Sequence, residues 1–216
     1  MSEPASSDVL TSVDFKPKGG IHSALFQRRS IRRYRTEVVP HELIEAVLEA
    51  AIWAPSAHNR QPWRFAVIET QIQKEQLAQA MGERLRHDLQ ADGMSHELIE
   101  ADAGRSYSRI TNAPVLIALC LSMVDMDVYA DAKRNQNEYL MAVQSVAMAG
   151  QNILLAAHDV GLSGCWMCAP LFCPDVVKAA LNLPDDWQPQ ALLTMGYPAE
   201  TREKTRKLLE ASVIWR

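Results

Sequence analysis

The densest cluster of cationic groups in the chain is Arg28-Arg29-Ser30-Ile31-Arg32-Arg33-Tyr34. In a helix Arg28 and Arg32 share a face, and in an extended segment alternate positions do. Either way two or three guanidinium groups and a hydroxyl converge on one anion. A phosphate monoester, with nearly two negative charges and oxygens that match the arginine fork, suits such a site. The plain alternative is a solvated surface cluster. A second concentration is Ala54-Pro55-Ser56-Ala57-His58-Asn59-Arg60-Gln61-Pro62-Trp63-Arg64-Phe65. A loop this rich in Pro, Ser, Asn and Gln between a helix and a strand presents amides and backbone groups at a sheet end, which suits a polar heterocycle. Its plain alternative is an ordinary turn. The third is Cys165-Trp166-Met167-Cys168, with Cys173 close behind. A redox dithiol of the thioredoxin type normally opens a helix after a strand, whereas this motif falls within or at the end of a strand. Three thiols with no nearby histidine make an incomplete metal site unless Cys120 or a partner chain completes it. No metal is therefore expected, and the cysteines read as structural or as a wall. No Ser/His/Asp arrangement suggests a nucleophile, and the six histidines share no spacing.

The whole chain narrows the options further. Its 216 residues suffice for one domain with a sizeable core. Hydrophobic residues make up 48% and charged residues 22%, so disorder is excluded. The net charge of -4 lacks the basic surplus of a nucleic-acid-binding protein. The apolar run Pro114–Leu121 is far short of the roughly 20 residues of a membrane span and reads as a buried strand. Residues 1–20 contain Ser, Pro, Asp and Lys without an apolar core, so a flexible arm rather than a signal peptide is expected. A cytoplasmic location with free thiols follows by default.

These groups must be positioned by elements that the periodicity predicts. His22–Arg29 reads as a short helix leading into the basic run. Pro40 opens an amphipathic helix with Leu43, Ile44, Val47, Leu48 and Ala51 on one face, and Pro55 ends it. Arg64–Glu69 alternates as a strand, and Ile72–Gln90 reads as a helix. Asp92–Ser108 is expected to be a mobile, lid-like stretch containing a further helix. Pro114–Leu121 is the second strand and Lys133–His158 the longest helix. The small residues of the latter, around Val143–Gly150, invite close approach of another helix, a second copy of the chain included. Gly161 is a helix stop. Ser163–Met167 and Gln190–Tyr197 read as strands, with the short helix Pro174–Leu181 between them. The tail 198–216 ends in apolar residues that need a surface to pack on, and a partner subunit is one candidate. The alternation of strands and helices predicts a layered α/β or α+β domain. No Gly-x-Gly-x-x-Gly turn follows a strand, which argues against a Rossmann pyrophosphate site.

Four motifs in this order resemble the nitroreductase superfamily. They are the basic run, the loop Ala-Pro-Ser-x-x-Asn-x-Gln-Pro-Trp-x-Phe, Gly161-Leu162-Ser163-Gly164-Cys165-Trp166-Met167, and Leu193-Thr194-Met195-Gly196-Tyr197-Pro198 with the later Arg206-Lys207-Leu208-Leu209. The resemblance covers roughly residues 23–215. It implies an α+β, three-layer fold with a central, mostly antiparallel sheet flanked by helices, in an intertwined homodimer with FMN at the interface. It implies that Arg28, Arg29 and Ser30 hold the phosphate and ribityl chain, joined by Arg206. Arg32 would reach the pyrimidine edge of the flavin and stabilise the charge of its reduced form. Pro55, Ser56 and Ala57 would come from the partner subunit, with Asn59 and Gln61 contacting flavin or bracing the loop. Backbone around Cys165, Trp166 and Met167 would line the other side. Leu208 stands where the family tail has Pro, which leaves Lys204 and Lys207 as alternatives to Arg206. The implied activity is ping-pong transfer of two electrons from NAD(P)H or a similar carrier to a small conjugated acceptor, nitroaromatics and quinones included. The stretch Cys165–Pro174 is also similar to the reductase domain of deazaflavin-coenzyme biosynthesis, which makes a dehydro precursor of that coenzyme an expected acceptor. From the residues alone, a non-catalytic phosphate-ligand module remains the alternative of another class.

Overall fold

The computed structural model describes residues 20–216. The arm expected at 1–20 lies, but for Gly20, outside the described residues. Four strands, β1 (Trp63–Ile68), β2 (Val115–Leu121), β3 (Ser163–Met167) and β4 (Gln188–Gly196), form one sheet in the order β1-β2-β4-β3. All three pairings are antiparallel, with a register shift in β2 between Leu119 and Cys120. The helices are α1 (Gly20–Gln27), α2 (His41–Ile52), α3 (Gln71–Ala91), α4 (His96–Thr111), α5 (Ala132–Asp159) and α6 (Pro174–Ala180).

Side-chain alternation along the strands builds the layers. In β2, Val115, Ile117, Leu119 and Leu121 point to the layer of α2 and α5, where Ile44, Val47, Val146 and Ile153 meet them. Leu116, Ala118 and Cys120 point to the other layer, where Leu77 and Met81 of α3 and Val177 of α6 lie. Because both faces are covered, all seven residues of β2 are buried, and the strand reads in sequence as an unbroken apolar run. Fully burying a Leu or Ile side chain contributes about 1.5–3 kcal/mol, so this strand anchors the fold.

Two findings revise the element-level expectations. First, 92–108 is no free lid. Its main part is α4, which buries Ile99, Ala103 and Ile110 and packs along α3. Second, the buried small residues of α5 serve its own chain, while Ala147 faces outward. Ala142, Val146, Ala149, Ile153 and Ala157 are buried in the core. A Cβ on Gly150 would meet the Trp166 ring at 2.3 Å and Leu119 at 2.9 Å, so the glycine makes room for β3's indole. By length and composition α5 could cross a membrane. Its buried stripe against the sheet gives that apolar content a use inside the core.

Lys74 shows how the layers are fastened. Its side chain is buried, and its ammonium donates to the carbonyls of Ala113 at 2.9 Å and Pro114 at 3.3 Å, tying α3 to the entry of β2.

Candidate functional site

Helix α1 stops at Gln27, and the basic run continues as an extended segment along the outer edge of β3. Ser30 forms a parallel bridge with Gly164, and the Ile31 amide donates to the Gly164 carbonyl at 3.2 Å. Farther on, the Arg35 amide donates to the Tyr197 carbonyl at 2.9 Å, and the Ala199 amide to the Arg33 carbonyl at 3.0 Å. The Tyr34 hydroxyl lies 2.6 Å from the Ile31 carbonyl oxygen, to which it donates, and 2.7 Å from the Thr194 hydroxyl. Burial pushes the Tyr34 phenol well above its ordinary value, so it acts as a neutral pin and not as an acid. The run is thus held as a third, short edge element, and of the two conformations open to it the extended one is adopted.

This segment gathers more cations than the described residues supply anions to match. Arg28 and Arg29 are half-buried, and the Nε–H of each is buried with no hydrogen-bond partner among the described residues. Arg29 spends one terminal nitrogen on the carbonyls of Phe26 and Arg28. Burial first, then the charges of Arg206 and Arg29, push the Arg28 pKa down. A buried guanidinium that is neither paired nor fully hydrogen-bonded costs free energy. Nature retains such an arrangement where a ligand completes it.

One acid stands among these arginines. Glu200 accepts from the Arg32 amide at 3.0 Å and from Nε and Nη2 of Arg202 at 2.9 and 3.0 Å. The Arg202 side chain, followed by the Arg32 N–H, pulls the Glu200 carboxyl down to about 2. The Cys165 thiol senses Arg32, Arg109, Arg202 and Arg28, yet burial outweighs them and pushes its pKa up. It is therefore a neutral thiol in a cationic setting and no thiolate nucleophile. Cys120 is pushed up to about 12 by burial, and Cys173 is raised by the same cause. Among the described residues no group of three or more His, Cys, Asp or Glu side chains is placed to hold a metal.

The other residues singled out in the sequence fall into two sets. Trp166 packs in the α5 layer against Gly150, and Met167 on the opposite face near α3 and α6, so both side chains are committed to the core. What β3 offers to a ligand is its edge backbone and the Cys165 surroundings. The loop between α2 and β1 is bent by three left-handed residues, His58 (φ 50), Asn59 (φ 54) and Gln61 (φ 51). Asn tolerates this region, but His and Gln do so at a cost of roughly 1–3 kcal/mol each, and such strain clusters at binding sites. The loop is braced from within. The Gln61 amide donates to Ser56 Oγ at 3.1 Å, Gln61 Nε2 to Asn59 Oδ1 at 3.3 Å, and the Ala57 amide to Ser145 Oγ of α5 at 3.3 Å. Among the described residues, Pro55, Ser56, Ala57, Asn59 and Gln61 make no hydrogen bond or ion pair with Arg28, Arg29, Ser30, Arg32 or Arg206.

The tail carries Arg206 to Arg28 but otherwise lies open. Leu208, Leu209, Ile214 and Trp215 are exposed, Trp215 to 87%. Sequence reasoning missed Arg109, Arg202 and Glu200. Arg105 and Arg109, four apart on α4, were the available signal for a second cationic face.

A four-stranded antiparallel sheet between two helical layers, with an arginine-rich segment along one edge, defines an α+β domain. Residues 25–197 match the model of the Nitroreductase family, so the chain belongs to that family. An NADH dehydrogenase of Thermus thermophilus is 31% identical, with 90% of this chain and 95% of that protein covered. A nitroreductase-like protein of Desulfovibrio desulfuricans, solved in complex with FMN, is 27% identical. It superposes with a TM-score of 0.71 over 92% of this chain and 98% of its own. A BluB-like flavoprotein of Clostridium difficile shares the fold at 22% identity and a TM-score of 0.74, over 92% and 99% of the two chains.

Proposed function

We propose that this chain is an FMN-dependent oxidoreductase that works as a homodimer. It passes two electrons from NAD(P)H to a small conjugated organic acceptor in ping-pong fashion. The observation that carries the reading is the pair of buried, unpartnered Nε–H groups on Arg28 and Arg29, in a chain of the nitroreductase family. A phosphate monoester is the ligand that such a pair fits, and FMN ends in one. Arg28, Arg29, Ser30 and Arg206 would hold it. FMN, when bound, supplies a ring that takes up two electrons and gives them on. Arg32 would set a fixed positive charge beside that ring and favour its reduced, anionic form. The backbone around Cys165 in β3 would support one side of the ring. The strained loop 55–61 is braced for presentation outward, which suits Pro55, Ser56 and Ala57 serving the site of a second copy, with Asn59 and Gln61 as braces. The exposed apolar tail suits packing on that copy.

Nitroaromatics and quinones are acceptors of the required class. The likeness of Cys165–Pro174 to the reductase domain of deazaflavin-coenzyme biosynthesis makes the dehydro precursor of that coenzyme the first physiological acceptor to assay.

The test is the visible spectrum of the purified protein before and after anaerobic NADPH. Flavin bands that bleach are expected. Arg32→Ala should lower the flavin potential and slow reduction with modest loss of FMN. A spectrum without flavin bands, even after incubation with FMN, leaves the alternative of a phosphate-ligand module that reduces nothing.

A further inference from the structure

A cavity of about 420 Å³ opens beside Arg32 and is lined by Arg33, Arg105, Ser108, Arg109 and Arg202. It is distinct from the phosphate position, since Arg28, Arg29, Ser30 and Arg206 do not line it. Arg32, assigned to the pyrimidine edge of the flavin, is the residue the two share. Two of the cations are matched inside the protein, Arg202 by Glu200 and Arg105 by Asp102. Arg33 and Arg109 form no ion pair among the described residues, although the Glu200 carboxylate senses the charge of Arg33. Ser108 and Asn112 add a hydroxyl and an amide to the same wall. That wall is firm. Helix α4 is seated through Ile99, Ala103 and Ile110, and the Arg33 backbone is bonded to Ala199. Five guanidinium groups around one cavity with two carboxylates raise the local potential, and the concave shape focuses it.

We propose that this cavity is an anion-binding subsite for the electron acceptor. The acceptor is then a conjugated molecule bearing a carboxylate or phosphate, which Arg33 and Arg109 hold while its reducible part lies against the flavin. The proposal rests on the FMN reading and adds the charge class of the substrate. The arginines take no part in bond making. With a nitro compound, the anionic reduced cofactor would give two electrons and one proton, solvent would give the second proton, and nitro would become nitroso plus water as oxidised FMN is restored.

The test pair is 4-nitrobenzoate and methyl 4-nitrobenzoate, similar in size and different by one negative charge. Binding of each to the oxidised holoenzyme is measured by calorimetry, and flavin reoxidation by each is followed by absorbance. Both are repeated on Arg33→Ala and Arg109→Ala. The acid should bind on the order of tenfold tighter than the ester, and each substitution should cut that ratio by a similar factor. Salt should erode it too. Equal binding of acid and ester by the unaltered protein overturns the proposal. So does loss of flavin in either variant, which would put the arginines in the cofactor site. A change confined to NADPH-over-NADH discrimination also overturns it, because the anion would then be the donor's phosphate. Failure of the FMN reading looks different: no flavin bands at all. If only the subsite is wrong, the ester still reoxidises a normal flavin.

Discussion

Lys74 and the pair Arg28–Arg29 are both cations drawn out of water without a carboxylate, and they are treated differently. Lys74 is buried and points its ammonium at two backbone carbonyls, those of Ala113 and Pro114. Arg28 and Arg29 keep buried Nε–H groups that nothing among the described residues accepts from. Burial pushes the pKa down at Lys74 as at Arg28, but at Arg28 two further cations, Arg206 and Arg29, add to it. A buried cation with acceptors at hand is part of the scaffold. One crowded by like charges and short of acceptors is a cation that a bound anion would stabilise.

That difference can be broken by substitution. Arg28→Ala should have the largest effect. It removes a charged hydrogen bond to phosphate worth about 1.5–3 kcal/mol, so FMN affinity should fall on the order of tenfold or more. The flavin-to-protein ratio after dialysis checks this. The flavin-free variant should unfold in denaturant at least as late as the flavin-free parent, because a repelling charge has gone. Lys74→Met should do the reverse. Two buried carbonyls lose their donor, so stability should drop by about 1–3 kcal/mol in urea, with FMN affinity retained. If both variants lose flavin and stability together, the distinction between scaffold and site cation fails.

Much of this scaffold was legible in the sequence. Proline and an amphipathic stripe marked α2, and unbroken or alternating apolar residues marked β2 and β1, because burial on one face or two leaves a direct imprint on residue type. The basic run was legible as a concentration of cations, though not as the extended segment along β3 that the structure makes of it. The second cationic wall was not. Arg109 and Arg202 are 93 residues apart in sequence, and only the packing of α4 on α3 and the return of the chain past β4 bring both to Cys165. The region 92–108 looked mobile because α4 is mostly polar. A helix that buries one narrow stripe needs only Ile99, Ala103 and Ile110 to be seated. The small residues of α5 marked a central helix, but Gly150 answers to Trp166, and a single helix cannot show which neighbour its glycine admits.

Glu200 gives the smallest and most local prediction. Its carboxyl is held near 2 in the folded chain against an ordinary 4.5. A depressed folded value means that the ionised form stabilises the fold. That contribution is fully present above about pH 4.5 and fades as pH falls toward 2. Glu200→Gln should therefore flatten the acid side of the stability profile while leaving its shape near neutrality. An acid limb unchanged in the variant would mean that the Glu200–Arg202 pair does not fasten the tail to the basic run.

The most direct measurement compares FMN with riboflavin, which lacks only the phosphate, as ligands for the flavin-free protein. Fluorescence titration should show FMN binding at least a hundredfold more tightly, as two or more charge-assisted hydrogen bonds from Arg28, Arg29 and Arg206 to phosphate require. The advantage should shrink in Arg28→Ala. Equal affinity for the two flavins would contradict the assignment of these arginines to the phosphate, and with it the reading of their unpartnered nitrogens as a binding site.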